Sequence, residues 1–179
     1  GIPIVNADVI TGLPEESPAD FAETMEALLA LDPENITVHT LAVKRASRLV
    51  EVDKDFHYKQ GETVKEMLAV AQQKLKAAGF CPYYLYRQKN IAGNFENVGY
   101  AKVDKAGIYN ILIMEEKQSI IAAGAGASTK IVLKEPVINP ESKKKKKTSL
   151  IRQENVKAID AYISRVDEMI ERKGEWLWR

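Results

Sequence analysis

The feature that most constrains the fold is a strand–helix–strand pattern within the first 43 residues. Residues 2–13 form a run rich in isoleucine and valine, which is typical of a buried strand. Ser17 and Pro18 then provide a helix start, with the serine as N-cap and the proline in the first helical position. A second β-branched run occupies residues 35–43. Because a helical crossover joins parallel strands, the pattern predicts an α/β fold with a parallel sheet.

Two amphipathic helices are predicted beside these strands. The first follows Pro18 and ends at Asp32-Pro33, since a residue before proline disfavours helical geometry. The second is longer and ends at Gly79, a residue type that favours helix C-termini. The two apolar stripes are Phe21, Met25, Leu28 and Leu29, and Val64, Met67, Leu68, Ala71, Leu75 and Ala78.

The chain changes character after residue 80. Short strand-like runs separated by turn residues predict an antiparallel extension of the α/β part. A final helix is predicted with Val156, Ile159, Ile163, Val166 and Ile170 on one face. We therefore divide the chain into an α/β part and a small antiparallel α+β domain. The two parts are residues 1–80 and 81–179. The strands are predicted at 82–88, 107–114, 119–125 and 128–133, and the final helix is predicted at 152–173.

A two-stranded parallel sheet is incomplete by itself, because such sheets are covered on both faces and continued by neighbouring strands. We therefore expect the chain to be a piece of a larger α/β domain. An exposed strand edge would favour self-association. The apolar side chains expected to lack part of their core are Ile4, Val9, Ile36 and Val38. In an α/β barrel the active site lies at the carboxyl ends of the strands, which here means residues 12–14 and 40–45.

Charge and composition exclude several classes of partner. The formal net charge of +1 provides no general attraction to nucleic acid, and no apolar run reaches the ~18 residues of a membrane span. We expect no signal peptide, because no basic segment precedes the first strand. The five lysines of 143–147 are interpreted as a solvated loop tip, since no aromatic residues interleave with them. The single cysteine, Cys81, excludes an internal disulfide and fits a reducing cytoplasm.

Several segments together resemble a known family. They are ADVITGLPEESPADF at 7–21, NITVHTLAVKRASRL at 35–49, PYYLYRQKNIAGNFENVGYA at 82–101, and GAGAS at 124–128 followed by NVKAIDAYISRVDEMIERK at 155–173. Their order and spacing are similar to the C-terminal part of the oxygen-independent coproporphyrinogen III oxidases, also called coproporphyrinogen dehydrogenases, of the radical-SAM superfamily. The resemblance implies a partial (β/α)6 barrel, with 2–13 and 35–43 as strands five and six, followed by a C-terminal domain.

The resemblance also implies an activity for the parent protein. It is the oxidative decarboxylation of coproporphyrinogen III to protoporphyrinogen IX in haem biosynthesis, with S-adenosyl-L-methionine (SAM) and a [4Fe–4S] cluster as cofactors and a tetrapyrrole as substrate. The family holds its cluster with C-x-x-x-C-x-x-C. Cys81 has no partner at that spacing, so this chain cannot bind the cluster and is expected to be inactive alone. The alternatives are a haem-binding or haem-transfer relative, and an inactive folded fragment.

By resemblance, the SAM-binding positions of the barrel are Asp8, His39, Leu41 and Ala42. Asp8 interrupts an apolar strand, where an unpaired carboxylate would be unfavourable. It is interpreted as a SAM ligand or as a carboxylate hydrogen-bonded within the protein. His39 stands where the family passes the adenosine, and a packed core histidine is an equal alternative. Leu41 and Ala42 would offer backbone groups to adenine.

The candidate substrate-binding residues are Arg45, Arg48, Tyr86 and Arg87. The planar guanidinium suits the propionates of a tetrapyrrole, although solvated surface charge is an equal interpretation of Arg45 and Arg48. The run of tyrosines near residue 86 could line a pocket for a macrocycle. Side chains alternate along a strand, so not all of these tyrosines can share one face. We assign no catalytic residue and no metal ligand.

Overall fold

The computed structural model describes residues 3–42, 60–87, 91–138 and 146–178. The chain forms two compact units, Gly1–Ile111 and Leu112–Arg179. Along the chain the described elements are β1 (Asn6–Thr11), α1 (Pro18–Ala30), β2 (Asn35–Thr40), α2 (Gly61–Ala77), β3 (Cys81–Tyr86), β4 (Asn97–Ala101), α3 (Ile108–Glu115), β5 (Ser128–Ile138), β6 (Lys147–Glu154), α4 (Ile159–Ser164) and α5 (Val166–Leu177).

The first unit contains a four-stranded mixed sheet with the strand order β1-β2-β4-β3. β1 and β2 are parallel, in a register that runs from Asn6 opposite Asn35 to Thr11 opposite Thr40. β4 is antiparallel to β2, and β3 is antiparallel to β4. The predicted parallel pair is therefore confirmed, the strand predicted at 82–88 corresponds to β3, and β4 was not predicted. The overall arrangement is α/β. The predicted domain boundary after residue 80 stays a prediction.

One face of this sheet forms the core of the first unit. Inward-facing strand residues pack against the apolar stripes of α1 and α2. Fully burying one valine, leucine, isoleucine, phenylalanine or methionine side chain stabilises a fold by roughly 1.5–3 kcal/mol. The expectation that Val9, Ile36 and Val38 would lack part of their core was wrong, because all three are buried, whereas Ile4 is 43% exposed. The buried members of the core are Val9, Phe21, Met25, Ile36, Val38, Met67, Ala71, Leu75 and Phe80.

α1 begins with a capping box, as the sequence predicted for its N-cap. The Asp20 N–H donates to the Ser17 hydroxyl at 3.2 Å, and the Ser17 N–H donates to the Asp20 carboxylate at 2.9 Å. These two bonds satisfy backbone groups that a helix start leaves without partners. Hydrogen bonds from the Ser17 side chain and backbone lower the pKa of Asp20 below its ordinary value.

The second unit is built on an antiparallel pair, β5 and β6. Ile131 lies opposite Ile151, and both pack with Trp176 of α5. The glycine-rich segment before β5 contacts the residues that follow β6: the Gly126 N–H donates to the carbonyl of Val156 at 2.8 Å, and the Gly124 N–H donates to the Tyr162 hydroxyl of α4 at 3.0 Å. Gly124 and Gly126 have φ values of 100° and 70°, and a Cβ at Gly124 would meet nothing within 4 Å, so these glycines serve a left-handed backbone conformation and not close approach of neighbouring backbone.

Several predicted elements of the later chain are wrong. Residues 107–114, predicted as a strand, lie almost wholly in α3. An apolar run of about eight residues is compatible with either structure, and here the Ile111 N–H donates to the Gly107 carbonyl in a helical turn. Residues 119–125 were also predicted as a strand, but they contribute an isolated bridge between Ile120 and Lys130 instead.

The last predicted helix, 152–173, begins later than expected. Its first residues belong to β6, because Arg152 pairs with Lys130 of β5. The helical residues then form α4 and α5, separated at Arg165, which has the non-helical backbone angles φ −122° and ψ 23°. Most of the lysine run 143–147 lies outside the described residues, and its last member begins β6. Among the helices that the structure describes, none is long and apolar enough to cross a membrane.

Candidate functional site

The sheet face opposite the core carries polar side chains on three strands. On each of these strands, two polar residues stand two positions apart, so that strand alternation turns both to the same face. We call this group the polar network. Its members are Asn6 and Asp8 of β1, Thr37 and His39 of β2, and Tyr84 and Tyr86 of β3.

His39 joins two sides of the polar network. Its Nδ1 lies 3.1 Å from the Tyr86 hydroxyl, and its Nε2 lies 3.5 Å from Asp8 Oδ2. The His39 and Tyr86 rings also meet edge to face, with centroids 6.2 Å apart. The side chain of His39 is 24% exposed and that of Asp8 is 59% exposed. Both ring nitrogens therefore face protein groups, while the carboxylate remains accessible to a ligand.

A second chain of hydrogen bonds approaches the same carboxylate from the other side. The amide of Asn6 donates to Asp8 Oδ1 at 2.8 Å, and the Thr37 hydroxyl donates to Asn6 Oδ1 at 3.3 Å. Thr37 is also 3.1 Å from the Tyr84 hydroxyl. The Tyr84 and Tyr86 rings are parallel within 2°, with centroids 6.3 Å apart. Asp8 Oδ1 thus accepts a hydrogen bond from Asn6, and Oδ2 lies within ion-pair distance of His39.

Gly99 of β4 leaves the space that lets the Tyr84 side chain cross β4 and contact Thr37. It pairs with both Thr37 and Tyr84, so β4 separates the two strands that these residues occupy. A Cβ atom at Gly99 would lie 1.8 Å from Tyr84 Cε1, so the ring occupies the space that a side chain would fill. Burial raises the pKa of Tyr84 above 10.0 and outweighs the opposing hydrogen bond from Thr37. The Tyr84 phenol is therefore neutral at ordinary pH.

One end of the polar face contacts the segment after β4. The Asn35 amide donates to the Lys105 carbonyl at 2.7 Å, and Asn35 is buried. Its Oδ1 has no hydrogen-bond partner within the described part of the chain. Nearby, the Asn110 amide donates to the Tyr83 hydroxyl at 2.8 Å. The accessible part of the polar face is on the β1 side, where Asn6 and Asp8 are exposed and His39 is partly exposed.

The remaining predicted residues lie elsewhere. The Leu41 N–H donates to the Thr11 carbonyl at 2.9 Å, and Ala42 forms a bridge with Ile91. Arg87 contacts Glu96, with 3.1 Å between nitrogen and oxygen, at an exposed position. Arg45 and Arg48 lie outside the described residues. The structure therefore brings together Asp8, His39 and Tyr86.

The contribution of Asn6, Thr37 and Gly99 was missed at the level of sequence. The signal for the first two was present, since Asn6 and Thr37 stand two positions from Asp8 and His39 on predicted strands. Gly99 could not be recognised in this way. Its role depends on which strands become neighbours.

The chemistry of this face fits a small polar ligand. An oriented, accessible carboxylate is an acceptor for hydroxyl or ammonium groups, such as the ribose and amino groups of SAM. Within residues 3–42, 60–87, 91–138 and 146–178, no group of three His, Cys, Asp or Glu side chains is arranged to hold a metal ion. A [4Fe–4S] cluster held by three thiolates does not fit this chain, whose sequence contains one cysteine.

Comparison with known proteins supports the resemblance seen in the sequence. No protein-family model matches the chain. Over 132 residues, or 74% of its length, the chain is 45% identical to the oxygen-independent coproporphyrinogen-III oxidase-like protein HemZ of Bacillus subtilis. It spans 26% of the length of that relative.

A solved structure has a similar fold. It is the coproporphyrinogen III oxidase HemN of Escherichia coli, described as a radical SAM enzyme. The similarity has a TM-score of 0.56 at 17% identity, and it covers 94% of this chain and 35% of that one. The sequence and structural similarities agree, and the chain belongs to the family of the oxygen-independent coproporphyrinogen III oxidases and their oxidase-like relatives.

Proposed function

We propose that the chain is the SAM-binding part of a radical-SAM, coproporphyrinogen oxidase-like oxidoreductase of porphyrin biosynthesis in the cytoplasm. The observation that carries the proposal is the accessible Asp8 carboxylate, which accepts a hydrogen bond from Asn6 at Oδ1 and lies 3.5 Å from His39 Nε2 at Oδ2. In the proposed architecture, β1 and β2 are strands five and six of a partial (β/α)6 barrel. The polar network would then face the barrel interior, and the core face would pack under the outer helices.

The roles of the side chains follow from this placement. Asp8 accepts hydrogen bonds from the hydroxyl or amino groups of SAM, and Leu41 and Ala42 border the adenine. When bound, SAM supplies the radical chemistry that oxidative decarboxylation requires. The thiolates for the iron–sulfur cluster come from outside this chain, because it has one cysteine. By itself the chain is a ligand-binding part without oxidase activity.

The tetrapyrrole is proposed to bind beside SAM. Tyr86 ends β3 beside His39 and Arg87 follows it, and Arg45 and Arg48 follow β2 in sequence. A propionate could take the place of Glu96 on Arg87, because that ion pair is exposed and therefore weak. Haem ligation by His39 is less favoured than SAM binding, since both of its ring nitrogens already face protein groups.

Isothermal titration of the 179-residue chain with SAM tests this proposal. We expect saturable binding, and Asp8→Asn should weaken it by about 10- to 150-fold because a charged hydrogen bond is lost. Glu66→Gln is the matched control, since Glu66 is an exposed carboxylate on α2, away from the polar face. Absence of saturable binding by the unmodified chain, or equal affinities for it and Asp8→Asn, would contradict the proposal.

We also propose that the exposed edge of β1 pairs with a second copy of the chain. Within the described residues β1 pairs with β2 alone, and Ile4, Val5 and Ile10 are 41–46% exposed. A strand edge of this kind invites pairing. Sedimentation equilibrium over a concentration series should show reversible association. The Ile10→Lys variant should associate more weakly. A 20 kDa species at high micromolar concentration would contradict this proposal.

A further inference from the structure

Within the polar network, His39 contacts both Tyr86 and Asp8. Tyr86 lies on β3, and Asp8 lies on β1, at the opposite edge of the sheet. His39 of β2 connects them, with Tyr86 at its Nδ1 and Asp8 near its Nε2. A phenol is neutral at ordinary pH and can donate its proton. Donation to Nδ1 would leave the proton of a neutral imidazole on Nε2, the nitrogen that lies 3.5 Å from Asp8 Oδ2.

We infer that Tyr86 is a positioning residue, which fixes the tautomer and ring orientation of His39 so that its Nε2–H supports Asp8 in the conformation that binds the ligand. This inference rests on the proposed function for the identity of the ligand, SAM. It gives Tyr86, which the proposed function places beside the tetrapyrrole, a second role toward His39.

Two features of the structure support a positioning role over simple packing. The first is geometric restraint: the Tyr86 ring meets His39 edge to face and lies parallel to Tyr84, so its hydroxyl has a defined direction. The second is that the two carboxylate oxygens of Asp8 face different residues. Asn6 donates to Oδ1, and His39 Nε2 lies 3.5 Å from Oδ2, where a proton on that nitrogen would face the carboxylate. A neutral imidazole donates from one nitrogen alone, and its neighbour at the other nitrogen decides which one.

The test compares Tyr86→Phe with Tyr83→Phe. Each change removes one hydroxyl from β3 and keeps the ring, but the Tyr83 hydroxyl contacts Asn110 instead of the polar network. In the ligand-free chain, ¹⁵N NMR distinguishes the protonated from the unprotonated ring nitrogen of a neutral histidine. The sequence has two histidines, so His39→Gln assigns the His39 signals unambiguously.

We expect His39 to be the Nε2–H tautomer in the unmodified chain and in Tyr83→Phe, and a mixture of tautomers in Tyr86→Phe. Affinity for SAM, measured by titration calorimetry, should fall about two- to thirteen-fold in Tyr86→Phe, as expected for one neutral hydrogen bond, and should not change in Tyr83→Phe. An unchanged His39 tautomer or an unchanged affinity in folded Tyr86→Phe would overturn the inference.

A double-mutant cycle separates positioning from a general loss of stability. Glutamine at position 39 can place an amide donor near the Nε2 position without a proton from Tyr86. In the His39→Gln background, Tyr86→Phe should therefore have no further effect on SAM affinity, and an undiminished effect would overturn the inference. If the unmodified chain binds no SAM, the proposed function fails. The tautomer measurement still decides whether Tyr86 orients His39.

Discussion

The two faces of the four-stranded sheet are formed by alternate residues of the same strands, yet they differ in almost every property. Ile36 and Val38 are at most 1% exposed and pack against two helices. Asp8 and His39 lie on the other face, keep 59% and 24% of their side-chain surface exposed, and contact polar neighbours. Because the side-chain period of a strand is two, a stabilising face and a binding face can share one short segment.

This difference predicts which substitutions affect the free energy of unfolding and which affect ligand binding. The core face derives its contribution from apolar area removed from water and from close packing. The polar face contributes less, because hydrogen bonds there largely replace bonds to water. A variant on one face should therefore leave the property that depends on the other face nearly unchanged.

The largest effect is expected for Ile36→Ala on the core face. Loss of the buried side chain should reduce the free energy of unfolding by about 2–5 kcal/mol, through lost burial and a residual cavity. SAM affinity should be unchanged under conditions where the variant is folded. Asp8→Asn should show the reverse, with lower affinity and a stability change within about 0.5 kcal/mol. Urea unfolding and titration calorimetry measure both quantities, and a folded Ile36→Ala chain with altered affinity would break the comparison.

An intermediate effect is expected for Gly99→Ala on the polar face. The new Cβ would overlap the Tyr84 ring and displace it from Thr37. We expect a loss of about 1–3 kcal/mol in unfolding free energy, typical of an overpacked site.

Two further variants test the cause of that loss. Adding Tyr84→Ala should remove the clash, so Gly99→Ala should cost less in that background. Gly61→Ala on α2 is the control, because a Cβ there meets nothing within 4 Å. An equal cost of Gly99→Ala with and without the Tyr84 ring would show that backbone effects, and not this contact, explain it.

The smallest effect concerns the capping box that starts α1, a helix of the core face. The folded pKa of Asp20 lies below its ordinary value of 3.8, chiefly because of the Ser17 side-chain hydrogen bond. The capping box therefore contributes its full stabilisation at pH values above the ordinary pKa of Asp20. This stabilisation is lost as the pH falls through the lower pKa of the folded state. Ser17→Ala should lower stability at neutral pH and have less effect in acid. Urea unfolding at several pH values measures this trend, with Ser164→Ala as the control, and a difference independent of pH would contradict it.

Elements with strong local signals could be predicted from the sequence. Ser17-Pro18 marks the start of α1, and the apolar stripe of α2 has helical periodicity. The strand predicted at 107–114 failed because a short apolar run does not distinguish helix from strand. β6 was missed because it pairs with β5 across an intervening segment, in a register that runs from Ser128 opposite Glu154 to Ile138 opposite Lys147, which local patterns do not record.

The candidate site shows the same limit. Asp8, His39 and Tyr86 could each be selected from the sequence, the first as a carboxylate on an apolar strand and the others from the family resemblance. Their connection could not be predicted, because it depends on the strand order β1-β2-β4-β3 and on the small residue Gly99 between Thr37 and Tyr84. The hydrogen bonds of the polar network are a property of topology and not of any one segment.

The central claim is that the polar face binds the ligand and the core face does not. Mapping the backbone amide NMR shifts of the 179-residue chain during titration with SAM tests this most directly. The account predicts shifts that saturate together at Asp8, Thr37, His39 and Tyr86, with Met67 and Leu75 of α2 unaffected. Shifts confined to α1 and α2, or no saturable shift at any residue, would contradict it.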